Sequence, residues 1–252
     1  PYIALMDGIT MGGGVGLSAH GRHRIVTESS RVAMPETGIG FLPDVGGTWL
    51  LSRQANEVGT YLALTGEAVG ASDAIFAGLA DIFMPYEDHP RLVSALADLP
   101  AGAGGAAVGE VVAGFARSVA ATPLQAHLAT VAAALGAGDV RAILAALADD
   151  GSSFATATRE TITEKSPTSL VLTLRLLRLG RASASLEICL EREFAAAVAM
   201  TRGPDFYEGV RAAVIDKDRN PHWSPATLDE VDSGAIEGFL APAPEPVFGR
   251  RA

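Results

Sequence analysis

Two glycine-punctuated runs near the start of the chain constrain its fold most. The first, Met11-Gly-Gly-Gly-Val-Gly16, follows the apolar segment Tyr2–Met6 and leads into a helical pattern at Gly14–Gly21. The second extends from Met34 to Gly47 and also contains two prolines. Glycine and proline at this density favour turns that direct amides and side chains at a ligand rather than into regular structure. We therefore expect two ligand-facing loops on a framework of short strands and helices.

The second run carries two candidate catalytic carboxylates, Glu36 and Asp44, each directly after a proline. Carboxylates held in a ligand-facing loop are suited to nucleophilic or acid–base chemistry. Each residue also has an ordinary structural interpretation. Glu36 is placed where an acid enters a helix, and Asp44 is placed where a turn residue bonds its own backbone.

The first run supplies candidate backbone donors for an anionic oxygen, namely Gly13 and its neighbour Gly12. Amides at a helix N-terminus lack intrahelical partners and lie at the positive end of the helix dipole. Close packing of helix on strand is the alternative reason for glycine here. Neither a P-loop nor a dinucleotide fingerprint matches, because no Gly-Lys-Ser/Thr follows and the third fingerprint glycine is missing.

The order of patterns along the chain predicts an α/β core followed by a helical region, with the boundary after residue 85. Pattern and turn signals predict strands at Tyr2–Met6, Arg24–Thr27 and Leu79–Met84, and helices at Gly14–Gly21, Thr48–Ser52, Val58–Leu64 and Ala71–Gly78. In residues 86–252 helices are predicted at Val140–Ala148 and Ala155–Lys165, and the clearest amphipathic helices at Thr168–Leu179 and Ser183–Met200. A polar loop is expected at Asp149–Ser153. The proline-rich tail after Trp223 is expected to be ordered only in part.

Composition excludes several classes of function. The net charge of −10 disfavours nucleic-acid binding, which needs a basic face. The single cysteine, Cys189, permits no intrachain disulfide and is expected to be a packed residue. The five histidines lack the spacing of a metal site, and the Gly-x-Ser-x-Gly elbow of a serine thioesterase is missing. No apolar run approaches the roughly 20 residues that cross a bilayer.

Motifs along nearly the whole chain, in order, resemble those of the crotonase (enoyl-CoA hydratase/isomerase) superfamily. They are Asp7–Ser18, Ala33–Gly40, Asp150–Phe154, Ser166–Leu170, Arg202–Ala212 and Ile215–Asp218, followed by Pro221 and Trp223. The resemblance implies the superfamily's repeated ββα spiral followed by a C-terminal helical region. It also implies that about the first hundred residues of the family pattern, with the second oxyanion amide, lie outside this sequence.

Two positions make the chain most similar to a thioester-hydrolysing branch of that superfamily. Gly16 stands where hydratases carry the first of their two catalytic carboxylates, so only Glu36 of that pair is present. Asp44 stands where hydratases usually carry glycine. Dienoyl-CoA isomerases share the Glu and Asp eight residues apart, but they also tend to carry an acid at the position of Gly16. The resemblance thus implies hydrolysis of the thioester of 3-hydroxyisobutyryl-CoA, a step of valine breakdown.

The resemblance also assigns roles to the candidate residues. Gly13 would donate to the thioester oxygen, Glu36 would attack the carbonyl or activate water, and Asp44 would bind the 3-hydroxyl or orient water. Lys217 would reach a CoA phosphate from its own or a neighbouring subunit. CoA would enter as part of the substrate, with no separate cofactor, metal, nucleic-acid partner or membrane contact. A homo-oligomer in the cytoplasm, or in the mitochondrial matrix of a eukaryote, is expected. Another acyl-CoA hydration or isomerisation, and a non-catalytic assembly subunit, are the alternatives.

Overall fold

The structure, a computed structural model, describes residues 1–119, 121–242 and 247–248. Its strands are β1 (Ile3–Met6), β2 (Ile9–Met11), β3 (His23–Val26), β4 (Arg31–Ala33) and β5 (Ile82–Phe83). Its helices are α1 (Gly13–Ser18), α2 (Gly47–Ser52), α3 (Val58–Thr65), α4 (Ala71–Phe76), α5 (His89–Ala97), α6 (Gly105–Phe115), α7 (Leu128–Leu135), α8 (Val140–Asp150), α9 (Ser153–Thr163), α10 (Pro167–Arg181), α11 (Leu186–Met200), α12 (Pro204–Val210) and α13 (Ser233–Phe239). Contacts divide the chain into two compact units, Pro1–Ala33 with Ala68–Ala126 and Met34–Glu67 with His127–Ala252.

The first unit contains all five described strands, arranged in two parallel sheets. One sheet has the order β1-β3-β5, and the other pairs β2 with β4. Parallel neighbours require crossover connections rather than hairpins. The connection from β1 to β3 contains β2 and α1, and the connection from β2 to β4 contains α1 and β3. The chain thus enters the first sheet, then the second, then a helix, and repeats that order. This is the ββα repeat that the family resemblance predicts.

Local sequence patterns predict the longer strands of this unit but not its shortest ones. The strands predicted at Tyr2–Met6 and Arg24–Thr27 correspond to β1 and β3. The strands β2 and β4 are not predicted, because three residues are too few to show a period. The segment predicted as a strand at Leu79–Met84 shortens to β5. The amide of Leu79 instead donates to the Ala74 carbonyl at the end of α4.

The second unit is helical, and cap residues explain its best-predicted boundaries. The side chain of Ser166 accepts the amide of Ser169, and Pro167 occupies the first turn of α10. Gly151 ends α8 in the left-handed region, and Ser152 caps α9. The loop expected at Asp149–Ser153 is therefore shorter than predicted. A core of buried side chains joins α10, α11 and α13, namely Leu42, Leu172, Leu176, Ala196, Met200 and Ile236.

The buried face of helix α11 differs from the face that the sequence predicts. The pattern of Leu186, Leu190 and Phe194 predicts the apolar stripe, but Phe194 is 46% exposed. The buried face instead carries small residues, one acid and a methionine, at Cys189, Glu193, Ala196 and Met200. Small side chains allow close approach to a neighbouring helix, which hydrophobicity alone does not reveal. The expectation that Cys189 is packed is confirmed, since it is fully buried.

All described strands lie before residue 85, and the division into regions 1–85 and 86–252 stays a prediction. The tail after Trp223 contains α13, while residues 243–246 and 249–252 lie outside the described part. Within the described ranges, none of the helices is both long and apolar enough to cross a membrane.

Candidate active site

Glu36 begins a 3-10 turn, Glu36–Ile39, rather than an α-helix. The amide of Gly38 donates to the Pro35 carbonyl at 2.9 Å, and the amide of Phe41 donates to the Glu36 carbonyl at 3.0 Å. The side chain of Thr37 is fully buried and faces the carbonyls of α3. These contacts anchor the main chain on both sides of the Glu36 side chain.

Gly40 ends this turn in the left-handed region, with φ of 67°. A Cβ atom on Gly40 would lie 2.2 Å from the carbonyl oxygen of Asp205 in α12. The turn that carries Glu36 therefore packs backbone against backbone on α12. Glycine is required here for both its conformation and its lack of a side chain.

The Glu36 carboxyl is buried, with 6% of the residue exposed. Its Oε2 atom has no hydrogen-bond partner among the residues that the structure describes. Loss of hydration raises the pKa of Glu36 to about 8, and the negative charge of Asp44 adds to the rise. A buried, incompletely bonded carboxyl with a raised pKa is a candidate for chemistry rather than for stability.

Asp44 lies half-buried in a turn that the main chain closes. Its carbonyl accepts the amide of Gly47 at 2.7 Å, while Val45 and Gly46 have φ of 49° and 83°. Burial raises the pKa of the Asp44 carboxyl, and a hydrogen bond with its own amide acts in the opposite direction. Both the turn role and the catalytic role predicted for Asp44 remain compatible with this geometry. The negative charge of Asp44 raises the pKa of Glu36, so the two predicted carboxylates belong to one region.

A third carboxylate, Glu193 of α11, joins this region and was not predicted from the sequence. It is 2% exposed, and it accepts hydrogen bonds from the amides of Gly46 at 2.7 Å and Thr48 at 2.9 Å. The Thr48 hydroxyl also donates to it. Burial raises the pKa of Glu193, these hydrogen bonds oppose the rise, and the charge of Asp44 adds to it. The sequence contained one signal for Glu193, because it follows Leu186 by seven residues and therefore lies on the same face of the helix.

The predicted backbone donors Gly12 and Gly13 lie in the first unit. The amide of Gly12 donates to the Ala33 carbonyl at 3.1 Å and thus extends the pairing of β2 with β4. Gly13 is the exposed first residue of α1, and no described atom lies within 4 Å of where its Cβ would be. Of the two amides, that of Gly13 is therefore the better placed to meet a ligand.

Lys217 lies in an exposed loop of the second unit, with φ of 57°. Its neighbours Asp216 and Asp218 both bind Arg211, which also forms an ion pair with Glu208 at 2.8 Å. Arg211 thus binds both acidic neighbours of Lys217. The contact of Lys217 with CoA phosphate stays a prediction. Within the described residues, no three or more His, Cys, Asp or Glu side chains form a group that could hold a metal.

Comparison with known proteins gives sequence relatives over most of the chain. A sequence profile described as enoyl-CoA hydratase/isomerase matches residues 1–240. The mitochondrial 3-hydroxyisobutyryl-CoA hydrolase of Gallus gallus is 42% identical over 251 residues, covering 96% of this chain and 64% of that protein. The protein of the same name from Homo sapiens is 43% identical and covers 92% of this chain and 61% of its own length. The chain thus spans less than two thirds of these curated relatives.

Solved structures agree with the sequence relatives on the fold. A carnitinyl-CoA dehydratase from Mycobacterium thermoresistibile superposes with a TM-score of 0.91 at 38% identity, over 99% of this chain and 71% of that one. An enoyl-CoA hydratase from Rhodobacter sphaeroides 2.4.1 gives a TM-score of 0.85 at 40% identity, over 96% of this chain and 68% of that one. The fold is therefore crotonase-like, as the motifs predict. The chain belongs to the enoyl-CoA hydratase/isomerase family.

Proposed function

We propose that the protein hydrolyses the thioester of 3-hydroxyisobutyryl-CoA to 3-hydroxyisobutyrate and CoA. The proposal depends mainly on the environment of Glu36. Its carboxyl is buried, has a raised pKa to which the charge of Asp44 contributes, and has one oxygen without a hydrogen-bond partner in the described chain. The names of the curated relatives support the choice of reaction and acyl group. Because the chain spans only part of those relatives, the proposal concerns the full-length protein.

Two routes are compatible with Glu36. In the first, a carboxylate oxygen of Glu36 attacks the thioester carbon, the C–S bond breaks, and the CoA thiolate leaves and takes a proton from water. Water then hydrolyses the resulting anhydride, which releases the acid and restores Glu36. In the second route, Glu36 takes a proton from a water molecule whose oxygen attacks the same carbon, the C–S bond breaks, and the CoA thiolate leaves and takes that proton, which restores the Glu36 carboxylate. Both routes use the ionised form of Glu36.

The remaining predicted residues bind and orient the substrate in this proposal. The amide of Gly13 donates to the thioester oxygen, where a backbone donor contributes about 3 to 4 kcal/mol to the transition state. Asp44 accepts the 3-hydroxyl of the substrate or orients water, and Lys217 meets a CoA phosphate. No cofactor besides the CoA portion of the substrate takes part.

Hydration of an enoyl-CoA is the second candidate, and it is favoured by the names of the two solved relatives. Gly16, on α1, provides no carboxylate for the acid–base pair that hydration uses. Hydrolysis needs one such carboxylate and is therefore preferred.

The deciding experiment compares two reactions of the full-length protein. Release of CoA thiol from 3-hydroxyisobutyryl-CoA is measured beside the loss of crotonyl-CoA absorbance. We expect thiol release to be the faster reaction. Faster hydration of crotonyl-CoA would mean that the protein is a hydratase rather than a hydrolase. The absence of both activities would mean that it is a non-catalytic subunit.

The role of Asp44 has its own test. We expect Asp44→Asn to reduce turnover of the 3-hydroxy substrate more than that of isobutyryl-CoA, because only the first presents a hydroxyl to the carboxylate. Equal losses on both substrates would mean that Asp44 forms the turn or positions water without recognising the hydroxyl.

Assembly and location complete the proposal. A homo-oligomer is proposed, and the mass of the native protein in solution tests it. For location we propose the cytoplasm, or the mitochondrial matrix if the source is a eukaryote, as the word mitochondrial in the vertebrate names suggests.

A further inference from the structure

Glu193 is a buried carboxylate that the reaction described above does not use. Its two oxygens accept three hydrogen bonds, from the amide of Gly46, the amide of Thr48 and the hydroxyl of Thr48. All three donors lie within four residues after Asp44. Glu193 therefore ties the turn that carries Asp44 to α11.

This turn needs support from outside itself. Val45 adopts a φ of 49°, which is rare for a β-branched residue, and Gly46 follows with φ of 83°. A backbone in such a region persists only where the surrounding structure holds it. The bonds that Glu193 accepts come from residues directly after this strained position.

We propose that Glu193 is a positioning residue that holds Asp44 where it acts on the substrate. The inference rests on the proposed function, since it assigns to Asp44 a task in that reaction. Glu193 acts through the amides of Gly46 and Thr48 and does not itself touch the substrate. Burial and the negative charge of Asp44 both raise the pKa of Glu193, whereas the hydrogen bonds from Gly46 and Thr48 favour its ionised form.

Glutamine is the informative replacement because it has the same shape but a different set of hydrogen-bonding groups. Glu193 accepts from Gly46 at one oxygen and from Thr48 at the other. An amide can keep only one of these acceptors, and its NH₂ group then faces an N–H donor. Glu193→Gln thus loosens the turn without leaving a cavity.

The test is a double-mutant cycle in the full-length protein, with Glu193→Gln, Asp44→Asn and both together. We expect Glu193→Gln to lower turnover of 3-hydroxyisobutyryl-CoA by about tenfold or more and to lower isobutyryl-CoA turnover less. If Glu193 acts through Asp44, it should change turnover by less than about twofold once Asp44 is already Asn. Additive losses would contradict the proposal.

Two controls separate positioning from general destabilisation. Glu57→Gln removes another hydrogen-bonded carboxylate of the same unit, which binds Arg178 and Arg181, and it should leave the ratio of the two substrates unchanged. Thr48→Ala removes the hydroxyl donor to Glu193 and should show the same selectivity change as Glu193→Gln, more weakly. Thr48→Ser keeps the hydroxyl and should restore wild-type selectivity.

Amide hydrogen exchange gives a readout that does not depend on catalysis. Glu193→Gln should speed exchange at Gly46 and Thr48 while leaving the amides of α10 protected. Unchanged exchange at both positions, or a Glu193→Gln variant with the same selectivity as Glu57→Gln, overturns the role of Glu193. A wild-type protein that releases no thiol instead overturns the proposed function itself.

Discussion

Glu36 is a carboxyl that folding places in an environment unfavourable to its charge. It is buried, its pKa is raised to about 8, and one oxygen has no hydrogen-bond partner in the part of the chain that is described. Ordinary core positions avoid such a group because an apolar residue is more stable there. At a reacting centre the same property is useful, since a weakly solvated carboxylate is a stronger base and nucleophile.

Replacing the carboxyl by an amide tests the chemical role of Glu36. We expect Glu36→Gln to reduce thiol release to about a hundredth of wild type or less, because an amide neither attacks the carbonyl nor accepts the proton of water. The fold should persist, since the side chains are nearly isosteric, and circular dichroism checks this. Retention of more than about a tenth of the activity would argue against either catalytic route.

The pH dependence of turnover should report the ionisation of Glu36. The pH dependence of kcat/KM reports ionisations of the free enzyme. Since the reactive form of Glu36 is the carboxylate, we expect kcat/KM to rise with pH up to about pH 8. The negative charge of Asp44 contributes to the raised pKa of Glu36, so Asp44→Asn should move the rise to lower pH. A rise near pH 4.5 in wild type, the ordinary value for glutamate, would show that the residue is solvated in solution.

At the scale of elements, the site depends on how a 3-10 turn packs on a helix. The end of the turn at Gly40 meets the backbone of Asp205, and Asp205 in turn accepts hydrogen bonds from Ser166 and Ser224. One contact thus joins the turn of Glu36 to α10, α12 and the segment after the π-helical stretch Arg211–Ile215. Turn glycines were readable in the sequence. This junction was not.

Gly40→Ala should therefore be strongly destabilising. The added Cβ would lie 2.2 Å from a backbone oxygen, at a φ that alanine adopts poorly, so a loss of about 3 kcal/mol or more is expected. Urea unfolding measures it. The matched control is Gly38→Ala in the same turn, where the nearest atom belongs to the flexible side chain of Lys165 at 3.8 Å. Equal stability of the two variants would show that the turn can move away from α12.

At the scale of the whole molecule, buried and paired carboxyls shift stability with pH in opposite directions. Glu57 accepts hydrogen bonds from Thr60, Arg178 and Arg181, and its pKa falls to about 2 although burial acts to raise it. Its ionised form stabilises the fold above about pH 4.5, and that stability is lost as the pH falls towards 2. Glu36 has a folded pKa above its unfolded value. The contribution of Glu36 to the stability of the wild type therefore falls as the pH rises from about 4.5 to about 8.

We expect Glu36→Gln to abolish this loss of stability between about pH 4.5 and about pH 8. Its free energy of unfolding, relative to wild type, should increase between about pH 5 and pH 8 and level off above, by roughly 1.4 kcal/mol for each unit of pKa shift. Urea titrations across this range measure the difference. Glu57→Gln is the control, because it should be less stable than wild type by a nearly constant amount over the same range. Parallel curves for Glu36→Gln and wild type would contradict the raised pKa.

The sequence by itself determined the features that depend on neighbouring residues. Turn-forming Gly and Pro around Glu36 and Asp44 and the alternation that produces β1, α1 and β3 all act within a few residues, so local patterns reveal them. Family motifs spread along the chain then indicated the crotonase-like fold.

Only the tertiary structure decided which groups are buried and which distant groups meet. Glu193 lies 147 residues from Gly46, and its hydrogen bond to that amide depends on the face that α11 turns towards α2. The pKa of Glu36 likewise depends on the water that packing removes, which no spacing in the sequence records. Local propensities act over a few bonds, whereas desolvation and long-range hydrogen bonds arise only once the elements are packed together.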